Sequence, residues 1–207
     1  MKNKFRIKVC GMRDRNNIRE LLALNPDYIG FIFYSKSKRF MDRSIDGIDF
    51  QNTKKTGVFV DESLSKVRDT AKRYQLDVLQ LHGNETPQYC LELKEEGYEI
   101  IKAFSVDEEF DFKQSFPYLK VTDLFLFDAK GKQPGGNGIT FNWKKLEEYQ
   151  YPQPFLLSGG ISMNHLEELK IFSHPEYVGI DINSGFERSP GLKDIPEIKS
   201  FIKEIKI

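Results

Sequence analysis

The sequence predicts an α/β fold, a single-domain (β/α)8 TIM barrel over residues 1–207, on three observations. Short runs of Val, Ile, Leu and Phe recur eight times, each ending in a polar residue or glycine, and most are followed by a charged stretch of helical period. Eight such units in 207 residues leave about 26 residues each, which suits a compact barrel. No Pro/Gly/Ser-rich linker or low-complexity tract divides the chain. An open doubly wound sheet would also alternate strand and helix. Its dinucleotide version, however, needs GxGxxG after the first strand, where this chain has Cys10-Gly11-Met12-Arg13, and the glycine pairs here come late in the sequence.

The first strand is expected over 5–9, before a helix over 16–24 with Ile18 and the leucines at helical spacing. The second, 28–33, is apolar almost throughout, as expected of a strand covered on both faces. Further strands are expected at 57–60, 78–81, 99–104, 124–127, 155–157 and 177–180. Helical patterns lie over 64–74, 87–96, 143–149, 163–172 and 195–205, while the segments after the second and fifth strands are less clearly helical.

Composition narrows the function classes. Lys and Arg total 31 against 31 Asp and Glu, so no global field favours nucleic acid, and a small-molecule partner is expected. The basic N-terminus lacks the apolar core of a signal peptide, and no run approaches the ~18 apolar residues of a membrane span. A cytoplasmic protein without membrane association is expected, as a monomer or a homodimer. Two cysteines far apart, Cys10 and Cys90, form neither a disulfide framework nor a zinc pattern, so no metal is expected.

In a barrel the active site gathers at the C-terminal ends of the strands. The residues that follow the apolar runs are Cys10, 35–39, Asp61, His82-Gly83, Ser105, Asp128, Ser158-Gly159-Gly160 and 181–185, and all are expected at one mouth. Cys10 is either a small buried hydrophobe or, if partly exposed near a positive group, a thiolate base. Asp128 closes the run Leu124-Phe125-Leu126-Phe127; it is either a capping aspartate or a carboxyl whose apolar surroundings favour the protonated form and suit a general acid. After it runs a long loop with Gly135-Gly136-Asn137-Gly138, of the kind that often serves as a lid.

Ser158-Gly159-Gly160 and Asp181 to Gly185, including Ser184, are either tight turns or amide-lined loops that hold a phosphate. Arg39 ends the basic segment Ser35-Lys36-Ser37-Lys38 and is either a solvated charge or a grip for a carboxylate. His82 is either catalytic or structural, and His165 and His174 read as surface residues.

Taken in order, these pieces resemble the phosphoribosylanthranilate isomerase family. The resemblance runs nearly end to end, through Lys8-Val9-Cys10-Gly11, Gly30-Phe31-Ile32-Phe33 with Ser37 and Arg39, Gly57-Val58-Phe59-Val60, and Leu79-Gln80-Leu81-His82-Gly83. It continues through Asp128, the 135–138 glycines with Phe141 and Trp143, Leu157-Ser158-Gly159-Gly160-Ile161, Asp181 with Ser184-Gly185-Phe186-Glu187, and Pro190-Gly191-Leu192-Lys193-Asp194. It implies an Amadori rearrangement of phosphoribosylanthranilate in tryptophan biosynthesis, with Cys10 as general base and Asp128 as general acid. It also implies a substrate site of Arg39, His82, Gly138, Gly159, Gly160, Asp181, Ser184 and Gly185. Proton transfers suffice for that reaction, so no cofactor is expected. Arg13, Lys38 and Asn137 stand where the family commonly has Thr, Pro and Thr, and none of the three has an assigned proton-transfer role.

Neighbouring phosphate-binding barrels fit less well. An indole-glycerol-phosphate synthase would bring a catalytic lysine and an N-terminal extension, and a pentose-phosphate epimerase would bring metal-binding histidines at strand ends, where only His82 stands. A non-catalytic phosphate-binding barrel needs neither Cys10 nor Asp128.

Overall fold

In the computed structural model, which describes residues 5–129 and 143–205, eight parallel strands close into a barrel in sequence order. They are β1 (Arg6–Val9), β2 (Tyr28–Ile32), β3 (Lys54–Phe59), β4 (Val78–Leu81), β5 (Glu99–Val106), β6 (Leu124–Ala129), β7 (Phe155–Leu157) and β8 (Tyr177–Ile182). Closure is made by β1 against β8, with Lys8 opposite Asp181 and Val9 opposite Ile182. Outside the barrel lie α1 (Arg15–Leu22), α2 (Leu64–Tyr74), α3 (Pro87–Glu95), α4 (Leu166–Ile171) and α5 (Ile195–Ile205).

Local chemistry sets the helix starts. Asp14 caps α1 by accepting from the amides of Asn16 and Asn17, Ser63 caps α2, and Thr86 caps α3 with Pro87 in its first turn. The expected helix over 195–205 matches α5 residue for residue. Elsewhere the helical pattern is realised more weakly. Residues Trp143–Glu148 form a 3-10 helix, and 163–171 is a 3-10 turn, Met163–His165, leading into the six residues of α4. After β5 the connection is a 3-10 helix, Phe112–Tyr118, and after β2 the chain crosses to β3 in turns with no helix at all. A short antiparallel hairpin unmarked in the sequence, β9 (Glu187–Ser189) with β10 (Leu192–Lys193), follows β8.

The core has two parts. A large cluster packs the outward faces of the strands against the helices, and a smaller one of Tyr28, Val78, Ile101, Ala103, Leu124, Leu126, Leu156 and Val178 fills much of the barrel's interior. Because side chains alternate along a strand, the inner apolar residues continue two positions later into polar ones at the C-terminal rim. Thus Val78 leads to Gln80 and His82, Leu126 to Asp128, and Leu156 to Ser158. His174, expected at the surface, is half-buried instead: its Nε2 meets the Tyr149 carbonyl at 2.9 Å and its ring packs on Tyr149 and Phe155. His165 is half-buried too, with its Nδ1 accepting from the Ser162 amide.

Candidate active site

At the C-terminal rim a cleft of about 680 Å³, counting its open mouth, is lined by Cys10, Arg39, His82, Asp128, Gly159, Gly160, Asp181, Ser184 and Gly185. Among the expected rim residues, Asp61, Gly83 and Ser105 are not in it. They line a neighbouring polar cleft above β3, β4 and β5, which shares only Val60 and His82 with the first. The two clefts adjoin on one rim, and the expectation of one site holds for Cys10, Ser37, Arg39, His82, Asp128, Ser158 to Gly160, Asp181 and Asn183 to Gly185, but not for these three, nor for Ser35, Lys36, Lys38 and Ile182, which line neither. Gly138 lies outside the described residues.

Cys10 sits one residue past β1 and is 4% exposed, with its amide on the Ile182 carbonyl at 2.9 Å. It is therefore not the partly exposed thiol the sequence left open, yet it is not inert either. Burial pushes its thiol above the ordinary value of 9.0; the ammonium of Lys8 and that of Lys193 pull it back, and the carboxylate of Asp181 adds to the rise. Gly30 on β2 makes the room, since a Cβ there would come within 2.8 Å of the Cys10 sulfur. Gly11 is required as well: it has φ +77°, and a Cβ would meet Arg39 Cδ and Asn183 Oδ1, each at 2.7 Å.

Asp128 lies on β6, 5% exposed, with Oδ2 3.2 Å from His82 Nε2. The Gln80 side-chain amide reaches His82 Nδ1 at 2.9 Å. With that amide donating to Nδ1, the imidazole carries its hydrogen on Nε2 and donates it to Asp128. A chain of Gln80, His82 and Asp128 thus runs up the inner wall from β4 to β6.

Arg39 is half-buried and bonded rather than solvated. Its Nε and Nη2 grip both oxygens of Glu187 at 2.7–3.0 Å, and Glu187 also accepts from Lys193 Nζ at 2.6 Å. Burial alone would raise the Glu187 carboxyl, but the Arg39 hydrogen bonds and the Lys193 charge hold it below the ordinary carboxylate range. Burial lowers Lys193 to about 8 although Glu187 opposes the change. Among the described residues, Arg39 Nη1 takes no hydrogen-bond partner, which leaves one edge of the guanidinium for a ligand in the cleft.

Two departures from the family pattern meet in space, because Arg13 bonds the carbonyl of Lys38 at 3.3 Å and the carboxylate of Asp42 at 3.0 Å. The loop that carries Arg39 is thereby tied to the segment after Cys10.

Gly159 and Gly160 after β7 have φ of +97° and +65°, and Ser184–Phe186 after β8 is a 3-10 turn. The two loops touch: a Cβ on Gly185 would stand 2.1 Å from the Ile161 carbonyl oxygen. Glycine backbone and the start of a short helix face the cleft here, the usual elements of an anion site in barrels. Among the described residues no group of three or more His, Cys, Asp or Glu is placed to hold a metal ion, and no helix is long and apolar enough to cross a membrane.

Lys8, Gln80 and Lys193 are buried in or beside this site without standing out as candidates in the sequence. The available signal was a polar residue inside an apolar run, as in Ile7-Lys8-Val9 and Leu79-Gln80-Leu81, which in a closed barrel points inward.

The comparisons agree with this geometry. A sequence model of the family described as N-(5'phosphoribosyl)anthranilate (PRA) isomerase matches residues 7–204. The N-(5'-phosphoribosyl)anthranilate isomerase of Parabacteroides distasonis is 47% identical over 204 residues, covering 96% of this chain and 92% of the relative. Monomers generated from the dimeric phosphoribosylanthranilate isomerase of Thermotoga maritima superpose with a TM-score of 0.80 at 30% identity, with 98% of each chain covered. A phosphoribosylanthranilate isomerase in complex with reduced 1-(o-carboxyphenylamino)-1-deoxyribulose 5-phosphate gives 0.80 at 29% identity, again over 98% of each.

Proposed function

Because this chain belongs to the N-(5'-phosphoribosyl)anthranilate isomerase family and is an isomerase of tryptophan biosynthesis, we propose that it performs the Amadori rearrangement by two proton transfers, with Asp128 as acid and Cys10 as base. The observation that carries this reading is that both groups line one cleft, with the glycine loops after β7 and β8 on the stretch of rim between them. The phosphate of phosphoribosylanthranilate sits on the amides around Gly159, Gly160, Ser184 and Gly185, and the anthranilate carboxylate meets the open edge of Arg39. Asp181 faces the ribose. His82 orients the Asp128 carboxyl through their 3.2 Å contact.

Asp128 protonates the furanose ring oxygen, the bond from C1 to that oxygen breaks, and the anilino nitrogen supplies the electron pair that forms the iminium. The Cys10 thiolate then takes the proton from C2, and that electron pair neutralises the iminium to give an enolamine. Protonation at C1 and loss of the enol proton give 1-(2-carboxyphenylamino)-1-deoxyribulose 5-phosphate. Only protons move. The working form is one (β/α)8 domain over 1–207, cytoplasmic, a monomer or a homodimer, with a small-molecule substrate and neither nucleic acid nor membrane as partner.

Turnover of freshly made phosphoribosylanthranilate, followed by loss of its fluorescence, tests the reading. Cys10→Ser should lose roughly 10²–10⁴-fold in kcat while still binding the reduced product analogue. Asp128→Asn should regain rate on substrate supplied as the open-chain imine, and Cys10→Ser should not. A folded Cys10→Ser protein with near-parental turnover refutes the assignment of the base.

A further inference from the structure

The base identified above sits in a paradox: its burial disfavours the thiolate that the reaction needs. The structure offers a counter-ion that the two-residue mechanism leaves unused. Lys8 precedes Cys10 by two positions, so both side chains stand on the same inner face of the first strand. Its side chain is fully buried, an expensive place for an ammonium unless opposite charge surrounds it. The Asp181 carboxylate accepts from Lys8 Nζ at 2.8 Å, and of the charged groups around the Cys10 thiol the same ammonium is the one that favours its thiolate most.

We propose that Lys8 is a positioning residue for the isomerase reaction, a fixed ammonium that holds the Cys10 sulfur toward the cleft and stabilises it as thiolate, with Asp181 keeping the ammonium in place. It acts through Cys10 and touches no substrate atom. A buried lysine held by a carboxylate two positions from a thiol needs no invocation of strain or motion; it is a preorganised charge in the barrel interior, where such a charge acts most strongly.

The electrostatic surroundings assign opposite signs to the two neighbours. Among the charged groups facing Cys10, Lys8 favours the thiolate most, Asp181 opposes it, and Lys193 favours it from the hairpin side. Behind them, Glu187 and Arg39 surround Lys193, while Asp128 and His82 face Asp181. Although burial works against the Lys8 ammonium, Asp181 and Cys10 outweigh it and hold Lys8 above its ordinary 10.5, so it stays charged throughout the working range.

The inference rests on Cys10 being the base, and thiol alkylation separates failure of one from failure of the other, because it requires no turnover. Iodoacetamide reactivity of the folded protein is followed against pH, with Cys10→Ser as the blank; Cys90, pushed up to about 12 by burial, stays silent. Lys8→Met should slow alkylation of Cys10 at neutral pH by about tenfold or more, move its midpoint to higher pH, and shift the rising limb of the kcat profile the same way.

Lys8→Met leaves Asp181 buried and unpaired, so the double variant Lys8→Met with Asp181→Asn restores a neutral pair if the single one fails to fold. In it alkylation should still be slower than in the parent, since the ammonium outweighs the carboxylate at the sulfur. Alkylation unchanged in the folded single or double variant overturns the proposal, as does a fall in kcat with the pH profile unmoved.

Discussion

Replacing Gly30 with alanine is the smallest change that should disable this enzyme from outside its reacting groups. A Cβ at that position would lie 2.8 Å from the Cys10 sulfur, 3.0 Å from its Cα and 3.2 Å from its Cβ. Ordinary contact begins at about 3.5 Å, so the sulfur must retreat by roughly 0.7 Å or more. Rotating the side chain does not suffice, because the backbone and Cβ of Cys10 are also too close.

The segment after β1 must therefore move away from β2, against the hydrogen bond from the Met12 amide to the Gly30 carbonyl at 3.0 Å. Overpacking of this kind costs about 1–3 kcal/mol, which for a protein of this size lowers Tm by roughly 2–12 °C. The larger effect is on rate, since displacing a reacting group by about 1 Å costs up to ~10²-fold. Gly30→Ala should fold, bind inorganic phosphate as the parent does, and turn phosphoribosylanthranilate over some 10–100 times more slowly in the fluorescence assay. Parental kcat in folded Gly30→Ala would show that the Cys10 sulfur is not held against Gly30 for catalysis.

Arg39→Ala should raise KM more than it lowers kcat, because a carboxylate far from C1 and C2 contributes mostly uniform binding, of about 1.5–3 kcal/mol for a charge-assisted contact; an unchanged KM removes Arg39 from the site. Inorganic phosphate should be a weak competitive inhibitor, and Gly185→Ala, whose Cβ would stand 2.1 Å from the Ile161 carbonyl oxygen, should weaken that inhibition by forcing the two loops apart; noncompetitive inhibition counts against the assigned anion site. Lys193 titrates at about 8 in the fold against an ordinary 10.5, so between those values the unfolded chain holds a proton that the folded chain has lost. Unfolding free energy should therefore rise across pH 8–10.5, by on the order of 3 kcal/mol, relative to Lys193→Met, and denaturant midpoints measured for both proteins across that window check the sign.

What could be read without a structure was what neighbours in the chain decide. The apolar runs of the eight strands and the helical period over 195–205 are local, and the barrel followed from them, as the family followed from the order of the short motifs at the strand ends. The candidates at six strand ends were legible for the same reason: a strand's end is marked by its own sequence, and a parallel barrel sends all such ends to one rim.

The division of that rim was not legible. Asp61, Gly83 and Ser105 follow apolar runs just as His82 and Asp128 do, and only the closed, twisted sheet puts them in a separate cleft. The partners of the charged groups were equally hidden. Arg39 finds Glu187 148 positions away, and Lys8 finds Asp181 173 positions away, across the seam where the last strand meets the first. A lysine inside Phe5-Arg6-Ile7-Lys8-Val9 has the same appearance in sequence whether it faces water or a thiol. Barrel closure decides between the two, because closing the sheet turns one face of every strand into an interior where a charge persists only beside its opposite.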